Sequence, residues 1–79
     1  MRLKTIKKGN RFMESDQGCN VMLLALEDAQ EVDEDKRSGH ECRCLVTHGA
    51  GAAKTGDEIT LFECHEPGGY GLDLYLEEE

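Results

Sequence analysis

NVMLLALEDAQEVDEDKR, Asn20 to Arg37, decides the fold. Val21 to Leu26 is apolar at every position, and six of the nine residues from Glu27 to Asp35 are acidic. Two structures compete for this stretch. As a helix, Asn20 caps its start, and Met22, Ala25, Leu26, Ala29 and Val32 fall on one face. Lys36 and Arg37 then lie where the helix dipole favours cations, and Gly39 closes the last turn. As a strand, the apolar run marks a central position with both faces covered. The strand is the preferred reading. It pairs with LKTIKKGNRFM, Leu3 to Met13, through the turn SDQG at Ser15 to Gly18, and the acidic half becomes a solvated bend.

Further turn signals stand at KRSG (Lys36 to Gly39), HGAGAAKTGD (His48 to Asp57) and EPGG (Glu66 to Gly69). Between them lie more strand-like runs. In GYGLDLYL, Tyr70, Leu72, Leu74 and Leu76 share one face, with Asp73, Tyr75 and Glu77 on the other. HECRCLVT (His40 to Thr47) and DEITLFECH (Asp57 to His65) form a hairpin around the glycine-rich loop. In LKTIKKGNRFM, Gly9 marks a bulge. The expected fold is all-β: a single domain over residues 1–79, built as a five-stranded antiparallel meander curled into a small SH3-like barrel. The alternative is an α+β fold, with one helix at about residues 20–37 on an antiparallel sheet.

The loop resembles a phosphate-binding loop only in composition. A Walker loop reads G-x-x-x-x-G-K-[ST], and its glycines free backbone amides to cradle phosphate. Here Ala53 precedes Lys54, and His48 occupies the first glycine position. A strand follows instead of a helix, and Asp57 and Glu58 repel anions. No nucleotide is expected to bind, and no cofactor is expected.

Cys42, Cys44, Cys64 and His65 are the candidate metal ligands, with His40 nearby. Structural zinc sites use C-x₂₋₄-C, because a tight turn brings two thiolates to one ion. In an extended C-x-C the Cα atoms stand roughly 6.6 Å apart, at about 3.3 Å per residue. Buried structural thiols are therefore preferred to a metal site. Nor is there a catalytic arrangement. On a strand, Cys64 and His65 point to opposite faces, and a calcium loop begun at Asp33 has Arg37 and Ser38 where an acid and a glycine belong. The chain is read as non-enzymatic.

Pairing Cys42 with Cys64 in the hairpin sets Cys42, Cys44, Val46, Phe62 and Cys64 on one face. Leu45, Ile59 and Leu61 then fall on the other. Both faces would be apolar, whereas a half-exposed sheet has one polar face. The expected cover is either another segment of the same small barrel or a homodimer or partner protein docked on Leu45, Ile59 and Leu61.

Composition narrows the function. With 79 residues, a domain buries only about 60% of its unfolded surface, which leaves little room for a deep cleft. MRLKTIKKGN is basic but lacks the apolar core of a secretory signal, and VMLLAL is too short to span a bilayer. Cys19, Cys42, Cys44 and Cys64 are read as free thiols, and a cytoplasmic protein that engages no membrane is expected. The net charge is −8, yet five of the nine basic residues lie within the first eleven positions. The rest of the chain sets four basic residues against all 17 acids. Such a surface repels nucleic acid, whose binding depends on Lys and Arg. The basic start is read as pairing with the protein's own acids.

The expected function is that of a small acidic binding protein. Glu27, Asp28, Glu31, Asp33, Glu34 and Asp35 would dock on a basic protein surface, one that ordinarily holds nucleic acid. In size and acidity the chain resembles the small inhibitors that phages and mobile elements direct at host defence systems, although no motif carries the likeness. A small zinc-binding accessory protein built on the Cys/His set is the second class.

Overall fold

The computed structural model describes residues 2–16, 18–34, 37–64 and 73–76, and of Asp16 and Arg37 the backbone only. Six strands form one antiparallel sheet: β1 (Arg11–Asp16), β2 (Cys19–Ala25), β3 (Gln30–Glu34), β4 (Arg37–His48), β5 (Glu58–Cys64) and β6 (Leu74–Leu76). A 3-10 turn, Leu3–Thr5, precedes them. No α-helix occurs among the described residues.

The stretch from Asn20 to Arg37 is extended. β2 pairs with β1 from Arg11↔Leu24 to Asp16↔Cys19, so the SDQG turn closes the first hairpin as expected. Gly18 takes φ 83° there, a conformation that glycine adopts without a Cβ penalty. β2 is central, between β1 and β4. Its inward residues Leu23 and Ala25 are buried, while Met22 and Leu24 are half-buried on the outer face. That two-sided position is why the run is apolar throughout.

The acidic half is not a bend. After β2 the chain swells outward over residues 26–29, then resumes pairing with the same strand as β3, from Gln30↔Glu41 to Glu34↔Arg37. Side chains replace the interrupted ladder. The Glu27 carboxylate accepts the Arg43 N–H at 3.0 Å, and the Asp28 carboxylate accepts the Lys8 N–H at 2.8 Å. The Leu26 N–H reaches the Arg43 carbonyl at 2.9 Å and the Ala29 N–H that of Ile6 at 3.0 Å. Two of the six acids thus satisfy backbone amides that would otherwise be costly to leave unbonded.

The first strand is shorter than expected. Leu3 to Asn10 is a docked segment, not a strand, and Gly9 lies in a turn with φ 89°. Leu3 and Ile6 enter the core because the 3-10 turn sets them on one side. They join Phe12, Leu23, Ala25, Cys42, Cys44, Val46, Leu61 and Leu74. β6 returns to pair with β1, and β5 lies on the far edge of β4. Among the described residues β5 and β6 do not pair, and the sheet is not closed into a barrel. Leu74 is buried as expected, whereas Leu76 is half-exposed on this edge strand; Tyr70, Leu72, Glu77 and the EPGG turn lie outside the described residues.

The β4–β5 register differs from the expected one. Cys42 faces Leu61, Cys44 faces Ile59, and Gly39 faces Cys64. A shift by an odd number of residues exchanges the faces of a strand. Cys42, Cys44, Val46, Ile59 and Leu61 all turn inward, leaving Arg43, Glu58 and Thr60 outside. The two-sided apolar hairpin therefore resolves into one core face. Leu61, 8% exposed, belongs to that core and not to an outer surface with Leu45. Ile59 packs against the core, and Leu45 lies half-buried opposite Leu24 on the outer face.

Candidate functional site

Three features are candidates for a functional site: an acidic edge, a structured loop and a cleft. The edge is β3. Glu31, Asp33 and Glu34 are exposed along it. Pairing with β4 occupies one side of the strand, and among the described residues no strand pairs with the other. Asp33 accepts the Ser38 hydroxyl at 3.2 Å, and Glu31 stands opposite His40. Asp35 lies outside the described residues. The sequence-derived acidic set thus divides: Glu27 and Asp28 brace the backbone, and Glu31, Asp33 and Glu34 face solvent.

At the N-terminus, Arg2 pairs with Glu63, Nε to Oε1 at 2.6 Å, and also donates to the Cys64 carbonyl at 3.1 Å. Glu63 is 4% exposed and also accepts the Leu3 N–H at 3.1 Å. A buried carboxylate with this partner fixes the 3-10 segment over the end of β5, and removing Arg2 would leave the Glu63 charge poorly solvated. The basic start does meet an acid of the same chain here, as read from the sequence.

The glycine-rich loop is built rather than loose. Ala53 N–H bonds to the Ala50 carbonyl at 3.2 Å, Gly56 N–H to that of Val46 at 2.8 Å, and Asp57 N–H to that of Lys54 at 3.0 Å. Gly49 N–H donates to the Thr55 hydroxyl at 3.0 Å, and Lys54 N–H to the Asp57 carboxylate at 3.1 Å. Amides that a phosphate-binding loop would present to an anion are here turned to the chain's own oxygens.

This loop forms one wall of a cleft of about 330 Å³. Val21, Ala50, Ala53 and Ile59 make it apolar, Cys19 stands at its rim and Glu14 supplies a carboxylate. Glu14 follows Phe12 at a spacing of two, so the pleat turns it inward. The sequence reading missed both Glu14 and Glu63. The signal was present: each acid continues the inward alternation of a strand, in Phe12-x-Glu14 and in Leu61-x-Glu63.

The thiols separate into classes. Cys42 and Cys44 are buried with their sulfurs 3.9 Å apart, Cys64 is half-buried, and Cys19 is exposed. Cys64 alternates with the inward Leu61 and Glu63, so it turns away from Cys42 and Cys44. His65 lies outside the described residues. Among the described residues, no group of three or more His, Cys, Asp or Glu is placed to hold a metal ion. Desolvation pushes both buried thiols above their ordinary range, and for Cys44 the neighbouring Cys42 adds to it. Cys19 should therefore react first with iodoacetamide, Cys64 more slowly, and Cys42 and Cys44 only on unfolding. Peptide mass mapping checks this order, and early labelling of Cys42 would contradict it. The raised values also set a pH trend. In the unfolded chain these thiols ionise first, so stability should fall as pH rises above about 9.0, the ordinary value.

No helix among the described residues is long and apolar enough to cross a membrane. Comparison with known protein families, curated proteins and solved structures finds no match.

Proposed function

We propose that this chain is a small acidic, non-enzymatic binding protein that docks on a basic surface of a protein partner, of the kind that ordinarily holds nucleic acid. The observation that carries this reading is the edge strand β3, whose Glu31, Asp33 and Glu34 are exposed together on an acidic chain of net charge −8. Two neighbouring acids are committed to the backbone at the swelling over residues 26–29, which holds β3 in place on β4. The charge is therefore presented on a fixed strand, so less ordering is needed on binding. Complementary charge raises the rate of encounter and rejects anionic competitors, nucleic acid included.

Such a protein acts by occupancy, as the inhibitors of phages and mobile elements do, and needs no cofactor. Free thiols suit a cytoplasmic setting. The antiparallel strand order, with β6 returning to β1, supports the reading of a small SH3-like architecture. Leu24 and Leu45 on the outer face offer apolar area to a partner or to a second copy.

The test is recovery of the partner from host cells, followed by competition. The wild type should displace nucleic acid from that partner, and the variant Glu31→Gln, Asp33→Asn, Glu34→Gln should not. Displacement by both forms alike would remove the acidic edge from the mechanism.

A further inference from the structure

The outer face of the sheet carries a second concavity, to which β3 contributes nothing. It measures about 360 Å³ and is lined by Arg11, Met22, Thr47 and His48. Thr47 and His48 are neighbours on β4, and successive strand residues ordinarily point to opposite faces. Here the β2–β4 register shifts. Leu23 pairs with Val46 and Met22 with His48, so Thr47 is the extra residue of a β-bulge. Bulges re-aim side chains, often beside functional sites. This one turns Thr47 and His48 into the same cavity. Arg11 arrives from the other side of β2. It stands opposite Leu24, and because its neighbour Phe12 is buried, the pleat turns Arg11 outward.

We propose that this cavity binds a small monovalent carboxylate carried on an apolar body. Arg2, at the basic start of the chain, pairs with Glu63. Among the described residues no acid pairs with Arg11, and the side chains of Thr47 and His48 are also without a partner. No acid stands among the described residues that line the cavity. On a chain with 17 acids, this grouping sets the cavity apart from the surface around it. The site does not depend on docking through β3.

The chemistry of the walls selects the guest. Arg11 offers a planar fork that matches a carboxylate and stays charged. The Thr47 hydroxyl donates, and an imidazole carries an N–H donor whether neutral or charged. A monoanion is balanced by Arg11 alone. A dianion such as a phosphate ester meets the same single permanent cation and the field of a chain of net charge −8. The floor asks for the apolar body. Met22 is half-buried, and so is Met13 opposite it on β1. Thioethers adapt to varied apolar shapes. A bare anion leaves this floor uncovered, and a bare hydrocarbon strips water from three donors and returns nothing. The volume lies near the small end of the usual range of about 300–1,000 Å³ for ligand pockets, so the body is short. A lone exposed ion pair contributes little. Three convergent donors with an apolar floor should hold such an acid with a Kd on the order of 1 mM.

The probe is hexanoate, titrated into the full chain and followed by NMR of the methionine methyls and backbone amides. Hexanoate should move the Met22 methyl and the Thr47 and His48 amides saturably, and leave Val21, in the other cleft, in place. Acetate lacks the body and hexanol lacks the charge; each should bind at least about tenfold more weakly, the scale of one hydrogen bond to a charged group or of one buried side chain. Arg11→Met keeps an apolar stem and removes the charge, and it should weaken hexanoate about tenfold. Thr47→Val keeps the shape and removes the hydroxyl, and it should weaken hexanoate about threefold. The amide spectra show directly that each variant is folded, and the comparison of ligands on the wild type needs no variant. Absence of a saturable Met22 shift, Val21 moving in step with Met22, or unchanged affinity in Arg11→Met overturns the proposal. Hexanol or acetate bound as tightly as hexanoate also overturns it. Hexyl phosphate bound more tightly than hexanoate would name a phosphate ester as the ligand and overturn the carboxylate.

Discussion

Leu61→Glu abolishes the native fold. Leu61 is 8% exposed, faces Cys42 across the β4–β5 hairpin and belongs to the main core. Glutamate there sets a second acid two residues from Glu63 on the inward face of β5, where Arg2 already pairs with Glu63. An unpaired buried charge and a lost apolar side chain together cost about 4 kcal/mol or more. A domain of this size has stability near the low end of the usual range of about 5–15 kcal/mol. Urea titration followed by circular dichroism should therefore show no cooperative transition in the variant. Leu45→Glu, half-buried on the outer face, should keep one. A Leu61→Glu protein that unfolds cooperatively near the wild-type midpoint would place Leu61 outside the core.

Gly39→Ala should be the most damaging of the small substitutions. Gly39 lies on β4 opposite Cys64, and its backbone is closed in by β5. A Cβ at this position would overlap the Glu63 carbonyl oxygen and approach the Phe62 ring tip to 2.9 Å. The obstacle is mainly backbone, so it cannot swing aside as a side chain would. Relief requires β4 and β5 to part at the place where Glu63 holds Leu3 and Arg2. Loss of about 3 kcal/mol is expected, at the upper end for overpacking. The shift in urea midpoint measures it, and a change within about 0.5 kcal/mol would show that the strands part freely. Gly18→Ala makes the contrast, because nothing lies within 4 Å of a Cβ there and only the φ of 83° opposes it.

The central strand was legible because its reason is local. Val21 to Leu26 is apolar at successive positions, and only a strand covered on both sides or a buried helix asks for that. The turn at Gly18 then fixed its partner. β3 was not legible. Its residues Gln30, Glu31, Asp33 and Glu34 are exposed, so no apolar alternation marks it, and it is a strand because β4 extends past the end of β2 and offers a vacant edge. Register was lost for a related reason. Leu45, Phe62 and Cys64 are as apolar as Ile59 and Leu61, and the side that turns inward is fixed by the hydrogen bonds of Val46 to Gly56 and Asp57 within the loop. The buried acids follow from the same difficulty. Glu63 reads as a surface residue until Leu61 is known to face inward, and Glu14 until Phe12 is.

The acidic edge also has a simpler physical use, since charge on an open strand discourages pairing with other chains. Docking on a partner makes a quantitative demand that this use does not. Association kinetics of the wild type and of the Glu31→Gln, Asp33→Asn, Glu34→Gln variant, measured against the purified partner across ionic strength, separate the two. Steering by exposed charge acts over a screening length of about 8 Å at physiological salt. The wild-type association rate should fall steeply as salt is added, the variant should associate slowly at every salt concentration, and both should dissociate at similar rates. Equal association rates for the two proteins, unmoved by salt, would contradict electrostatic docking through β3.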